Sequence, residues 1–416
     1  MLKLTSVFVC AALTLAAFPS QQSNDRALTD RARALLKQMP LIDGHNDYPW
    51  ALREKAQRDF ARLDIAKPQP SIMTDIPRLR AGGVGGQFWS VYVPVELTGQ
   101  TAVTATLEEI DTVHQMVRRY PDTFELALTA DDVERIFKQG RIASLIGMEG
   151  GHSIDNSLAA LRMFYRLGAR YMTLTHAKNT GWADSATDDP KFGGLAPFGE
   201  EVVREMNWLG MLVDLSHVSP ETMEDAIRVS QAPVIFSHSS ARALNDVPRN
   251  VPDAVLRLLP KNDGVVMVTF VPGFLSPAVA GWNKLQDAER ERLTKQFPSD
   301  AAAVTGGVDE WTRSHPAPRA TLTDAADHID HIRKIAGIDH IGLGSDFDGI
   351  TAVPLGLEDV STYPSLVAEL LRRGYKDEEI GKIVGGNILR VMRQVEKVSK
   401  RLQSERGPSA VLFQQQ

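Results

Sequence analysis

Eight short apolar runs punctuate the chain, and they limit its fold more than any other feature. They are "LIDGHND" (41–47), "GGQFWSVYVP" (85–94), "ASLIGMEGG" (143–151), "YMTLTH" (171–176), "GMLVDLSH" (210–217), "PVIFSHSS" (233–240), "GVVMVTF" (264–270) and "HIGLGSDFDG" (340–349). Their Val, Ile, Leu and Met residues are near-continuous. Strands covered by helices on both faces look like this, whereas strands with one wet face alternate. Between most of the runs lie segments with apolar residues every three or four positions, at 106–120, 156–168, 198–210, 219–230 and 323–337. Several open on Ser, Thr or Asn and stop at Gly, as helix caps require. Strand-then-helix units in this number predict an α/β fold, a (β/α)8 TIM-type barrel. A doubly wound sheet is the alternative. It normally carries a phosphate-binding glycine turn after its first strand, and "DGHND" is not one. Nor is "AGGVGGQFW" (81–89), which precedes a strand instead of opening a helix.

The barrel is expected over residues 23–400, with a long insert at 276–322 after the seventh strand and a flexible tail at 401–416. The insert is charged and partly helical. A loop of that length at a barrel's working face is either a lid or interface element, or a peripheral decoration. The first 22 residues read as a signal peptide: Lys3, an apolar run, then small residues and a polar stretch. The only cysteine, Cys10, lies in that segment, so the mature chain is expected to hold no disulfide. Export without disulfides suits a bacterial envelope. The protein is therefore expected to be periplasmic or secreted, without stable membrane insertion once the signal is removed. A net charge of −6 and the lack of a basic cluster exclude nucleic acid as a natural partner.

The strand ends carry the chemistry. His45 and Asp47 end the first run, Glu149 the third, His176 the fourth, His217 the fifth, His238 the sixth, and Asp346 and Asp348 the eighth. Barrel enzymes gather their active sites at the C-terminal strand ends. Side chains two apart on a strand share a face, so His45 and Asp47 point together. One such histidine is ordinarily structural, but four of the chain's ten, in phase with the barrel, signal a metal site. Imidazole and carboxylate donors without thiolate suit hydrolytic zinc and exclude a closed cysteine site. The inventory fits two divalent cations: His45 and Asp47 on one, His217 and His238 on the other, and Glu149 bridging.

The stretches "DGHND", "GMEGGHSI", "LTHAKNTGWADS", "LVDLSHVS", "VIFSHSSARAL", "RNVPD", "GLGSDFDGI" and "GGNILRV" run in order from residue 41 to about 391. With them the sequence resembles the membrane dipeptidase (renal dipeptidase) family of metallo-dependent hydrolase barrels. That resemblance implies a zinc-dependent dipeptidase that cleaves free dipeptides through a metal-bridging hydroxide. It implies two Zn2+ ions on His45, Asp47, Glu149, His217 and His238. His176 would face the scissile carbonyl, Arg249 of "RNVPD" would bind the substrate carboxylate, and Asp346 would move the proton. Asp47 and Asp346 would also meet the substrate ammonium. A homodimer is implied as well. The chain departs from the family pattern at "TFVPGFLSP", just before the insert, which leaves open substrate preference on that side of the pocket. The alternative is a related binuclear-zinc amidohydrolase acting on N-acyl amino acids or other small amides.

Three further features have two readings each, and a fourth has one. His152 either orients a ligand or is a loop histidine. Asp348 either shares the face of Asp346 or stabilises a turn. Trp182 and Asp184 either line the pocket or fix their loop. His328 and His331, three apart on one helix, are expected to be solvated.

Overall fold

The computed structural model describes residues 19–414. Residues 1–18 of the expected signal segment, with Cys10, lie outside the described residues. No helix among the described residues is long and apolar enough to cross a membrane.

Among the described residues, nine parallel strands form one sheet: β1 (Leu41–Asn46), β2 (Val84–Tyr92), β3 (Phe124–Leu126), β4 (Ile142–Glu149), β5 (Ala169–Thr173), β6 (Leu212–Asp214), β7 (Ile235–Phe236), β8 (Val265–Val268) and β9 (Ile341–Leu343). Each of the eight barrel strands pairs with the next, β2 with β4, and β9 closes the ring onto β1. The eight predicted strands are these eight. The ninth, β3, was not expected. It pairs only with the start of β4, Phe124 opposite Ile142 to Leu126 opposite Ser144, and β5 takes over from Ile146. Three residues, two of them half-buried, are too few to show a periodicity.

Every residue of β1 and β4 is buried, as the continuous apolar runs require. Helices cover the outside, among them Gln100–Arg119, Leu158–Arg166, Pro197–Leu209, Pro220–Val229 and Leu322–Ile335. Their starts are fixed by side chains: Ser157, Ser219 and Thr321 each accept from a backbone N–H of the first turn. Inside the barrel, Tyr171 on β5 lies across Gly147 on β4. Any Cβ at Gly147 would overlap the tyrosine ring, so only glycine fits there.

The insert folds as two helices, Pro277–Gln296 and Ala301–Ser314, around a small core of Leu293, Val304 and Val308. Trp282 and Trp311 pack with ring centroids 5.5 Å apart. None of its residues lines the cavity over the barrel, so it is no lid in this structure. The segment expected as a tail continues the helix Asn387–Glu405 and then runs back along the barrel wall. Arg162 donates to the Ser409 carbonyl at 3.2 Å, and Phe413 meets Phe198 edge-on at 5.2 Å.

Candidate metal centre and substrate cavity

The sequence-predicted residues converge at the C-terminal end of the barrel. Glu149 closes β4, and its two oxygens face different partners. Oε2 lies 3.4 Å from His45 Nε2. Oε1 lies 3.1 Å from His217 Nε2, 3.5 Å from His238 Nε2 and 3.7 Å from His176 Nε2. On the other side, His45 Nε2 is 3.3 Å from Asp47 Oδ2 and 4.0 Å from Asp346 Oδ1. His217 and His238 bring their Nε2 atoms within 2.9 Å of each other, aimed at one place. Asp47 sits one residue past β1 and still shares the direction of His45.

Three ligand groups overlap: His45, Glu149 and His238; Glu149, His176 and His217; and His45, Asp47 and Asp346. His45 Nε2 and Asp47 Oδ2 are buried with no hydrogen-bond partner among the described residues. Orphaned buried donors and acceptors are costly, and a cation among them removes the cost. The residues therefore fit a metal.

Neighbouring hydroxyls settle which imidazole nitrogen is free. Tyr171 donates to the Gly44 carbonyl at 3.3 Å, and its oxygen stands 2.8 Å from His45 Nδ1. With its proton committed, that oxygen accepts Nδ1–H, which leaves the Nε2 lone pair for a metal. Ser237 repeats the arrangement. It donates to Asp214 Oδ2 at 2.6 Å and stands 2.9 Å from His238 Nδ1. Asp214 also takes the Thr173 hydroxyl and the Ser237 amide. Ser90 donates to Glu149 Oε2 at 3.1 Å. None of these orienting residues was singled out in the sequence. The available signal was position: Ser237 directly precedes His238, and Asp214 stands three before His217.

Protonation agrees with ligand duty at Glu149, His217 and His238. At His45 burial lowers the imidazole, but Tyr171, Glu149 and Asp47 outweigh it and raise it well above its ordinary value, as a site rich in negative charge requires. Burial pushes Glu149 up, but His45, His217 and His176 outweigh it and hold it well below the usual carboxylate range. Burial, with Arg249 nearby, holds His217 and His238 well below the ordinary imidazole value, so both are neutral. Asp346 goes the other way: burial and the adjacent Asp47 raise it well above the carboxylate range.

Backbone strain marks the same ends. His217, Asp346 and Asp348 adopt left-handed conformations, with φ of 68°, 67° and 68°. Such geometry is uncommon outside glycine and clusters where function demands it. Gly349 follows directly. A Cβ there would overlap Asp47 Oδ2, so the glycine lets the chain pass over the carboxylates.

A cavity of about 930 Å3 opens above the cluster, walled by Trp50, Met73, Tyr92, His176, Arg249 and Phe274 among others. The guanidinium of Arg249 is buried and packs over the Phe274 ring at 5.3 Å. It donates to the His238 carbonyl at 3.4 Å, and its Nη1 has no partner among the described residues. Burial lowers it to about 10, so it remains a cation at neutral pH.

The open readings resolve by contact. His152 bonds the Val93 carbonyl at 3.1 Å and makes no hydrogen bond to the cluster. Asp348 lines the cavity and also pins a loop, accepting from the Met73 amide at 2.6 Å. Asp184 accepts from the amides of Lys191, Phe192, Gly193 and Gly194, and Trp182 is buried against Phe198, so both fix their loop. The expectation for the helix histidines is corrected. His328 is buried, taking the Ala241 amide at 3.0 Å and reaching the Leu275 carbonyl at 3.1 Å, and His331 pairs with Asp253 at 2.8 Å. Their helix lies against loop backbone whose polar groups need partners, and imidazole supplies both a donor and an acceptor.

Residues 29–406 match the family model described as membrane dipeptidase (peptidase family M19). The chain belongs to the membrane dipeptidase family. It is 42% identical over 383 residues to dipeptidase 3 of Mus musculus, covering 91% of this chain and 69% of that protein. It is 43% identical over 410 residues to dipeptidase ataJ of Aspergillus terreus, covering 92% and 90%. Among solved structures, the probable dipeptidase PvdM from Pseudomonas aeruginosa superposes with a TM-score of 0.79 at 27% identity, covering 90% of this chain and 99% of that one. A dipeptidase described as a metallo peptidase of family M19 superposes with a TM-score of 0.71 at 26% identity, covering 86% and 98%. Family membership makes the protein a metallopeptidase of the dipeptidase type, and it leaves the amidohydrolase alternative without support.

Proposed function

We propose that this is a binuclear zinc dipeptidase acting on free dipeptides in the cell envelope or outside the cell. The observation that carries the reading is Glu149, whose two carboxylate oxygens address His45 on one side and His217 with His238 on the other. In this reading His45 and Asp47 would hold one zinc and His217 and His238 the other, with Glu149 available to both. Zinc, when bound, supplies Lewis acidity to the peptide carbonyl and brings the pKa of a water towards neutrality.

The chain's own groups do the rest. Arg249 is a buried cation in the cavity wall whose Nη1 has no partner among the described residues, suited to the substrate carboxylate. Asp47 and Asp346 lie close to the cluster where a substrate ammonium finds counter-charge. Together these ends select a substrate with both termini free. His176 lines the cavity beside Glu149 and donates to the carbonyl oxygen as charge develops there. Asp346 lines the cavity 4.0 Å from His45; as a carboxylate it would accept a proton from the attacking water and deliver it to the departing amine nitrogen.

The test is hydrolysis of a dipeptide panel beside N-acetylated and C-amidated analogues. Cleavage restricted to free dipeptides supports the reading. Equal cleavage of N-acetylated substrates would return the acyl-amino-acid alternative.

A further inference from the structure

Beyond the last helix the chain doubles back as a strap. Trp208 Nε1 donates to the Arg406 carbonyl at 3.0 Å, and the Ser409 amide donates to the buried Glu205 at 3.0 Å. Arg162, paired with Glu205 at 2.8 Å, donates to the Ser409 carbonyl at 3.2 Å. These bonds deliver Phe413 to a defined seat. Its ring stands edge-on to Phe198 at 5.2 Å and presses on Gly181, where a Cβ would lie 2.8 Å from its Cζ.

Two routes lead from that seat to the active site. Phe198 meets Trp182 at 6.4 Å, and the Trp182 ring fills the space over Gly151, where a Cβ would lie 2.7 Å away. Gly151 is two residues past Glu149. Gly181 itself belongs to the loop that begins at His176. That loop is tied back by Ser185, whose hydroxyl donates to the His176 carbonyl at 2.6 Å, and by Ala186, whose amide donates to the His217 carbonyl at 2.7 Å.

We propose that Phe413 is a positioning residue for the dipeptidase reaction: the C-terminal strap clamps the loop 177–186 and, through Trp182, the turn after Glu149, so that His176 and Glu149 hold their reactive placement. Phe413 lines none of the central cavity and acts only through these neighbours. The inference rests on the dipeptidase reading. Displacements near 1 Å at a catalytic group cost up to about 100-fold in rate, so a loosened clamp shows in kcat before it shows in binding.

The test compares Phe413→Ala, Gly181→Ala, Phe413→Leu and the Gly181→Ala/Phe413→Leu double variant with wild type in the full chain. Phe413→Ala is expected to lower kcat about 10-fold, with KM and zinc content within about 2-fold of wild type. Gly181→Ala, which pushes the ring out, should act the same way. The smaller Leu should partly rescue it, so the double variant exceeds the product of the single effects. Amide hydrogen exchange, run without substrate, should speed up in residues 149–153 and 177–186 of Phe413→Ala. Wild-type kcat and wild-type exchange in Phe413→Ala, even with a lowered Tm, overturn the proposal. If wild type cleaves no dipeptide, the functional reading fails, and unchanged exchange in Phe413→Ala still refutes the clamp on its own.

Discussion

Replacing Tyr171 by Phe tests how the metal site is oriented. The substitution keeps the ring that packs on Gly147 and removes only the hydroxyl. That hydroxyl oxygen stands 2.8 Å from His45 Nδ1 inside a fully buried site. Without it, a metal-bound His45 must keep an unpaired Nδ1–H, because the metal claims Nε2. An unsatisfied buried polar group costs about 1–3 kcal/mol. In the metal-free protein His45 can escape part of that cost by moving its proton to Nε2, beside the Asp47 and Glu149 carboxylates. The penalty therefore falls mostly on the bound state, which corresponds to about 10- to 100-fold weaker binding, the range expected for partners of metal-ligating histidines. Zinc Kd from chelator competition measures it. Ser144→Ala is the control: it removes a buried bond at 3.0 Å to Trp89 and should lower stability without touching zinc affinity. A Tyr171→Phe protein that binds zinc within about 2-fold of wild type refutes the argument that this hydroxyl fixes the His45 tautomer.

Arg249→Met should lower kcat/KM on free dipeptides by about 100-fold or more, with C-amidated substrates much less affected, since only the former lose a charge-assisted pair; steady-state kinetics on matched substrates decides. Gly349→Ala should drive a methyl into Asp47 and Asp346 and cut kcat at least about 10-fold while leaving the thermal midpoint nearly unchanged, because the cavity side is open. Glu109 is pushed up to about 8 by burial, against the pull of Arg53 and Arg58. A raised carboxyl contributes stability that is complete below its unfolded value and lost as pH rises through its folded value. Between about pH 5 and pH 9 wild type should therefore lose a few kcal/mol relative to Glu109→Gln, as read from urea unfolding.

The fold was legible because burial on both faces forces strands to read as unbroken apolar runs, and eight such runs with helices between them leave few architectures. The clustered residues were legible because the barrel places every strand end at one face, so His45, Glu149, His217 and His238 could be gathered before any distance was known. Tyr171 was hidden because it lies mid-strand and looks like any core aromatic. Ser237 and Asp214 were hidden because serine and aspartate near a strand end are ordinary. His328 was misread because its helix periodicity says nothing about the loop backbone laid against it. The strap was unreadable for a simpler reason: "GPSAVLF" has no periodicity, and its placement rests on contacts with Trp208, Glu205, Arg162, Phe198 and Gly181, which are far away in sequence.

The central claim is that one carboxylate, Glu149, joins two metal positions in a working dipeptidase. The direct measurement is dipeptide hydrolysis by chelator-stripped protein titrated with zinc, with bound zinc counted at each step. The stripped protein should show no activity, and activity should rise with a break at two zinc ions per chain. Full activity in the stripped protein, or a break at one ion with no further binding, would contradict it.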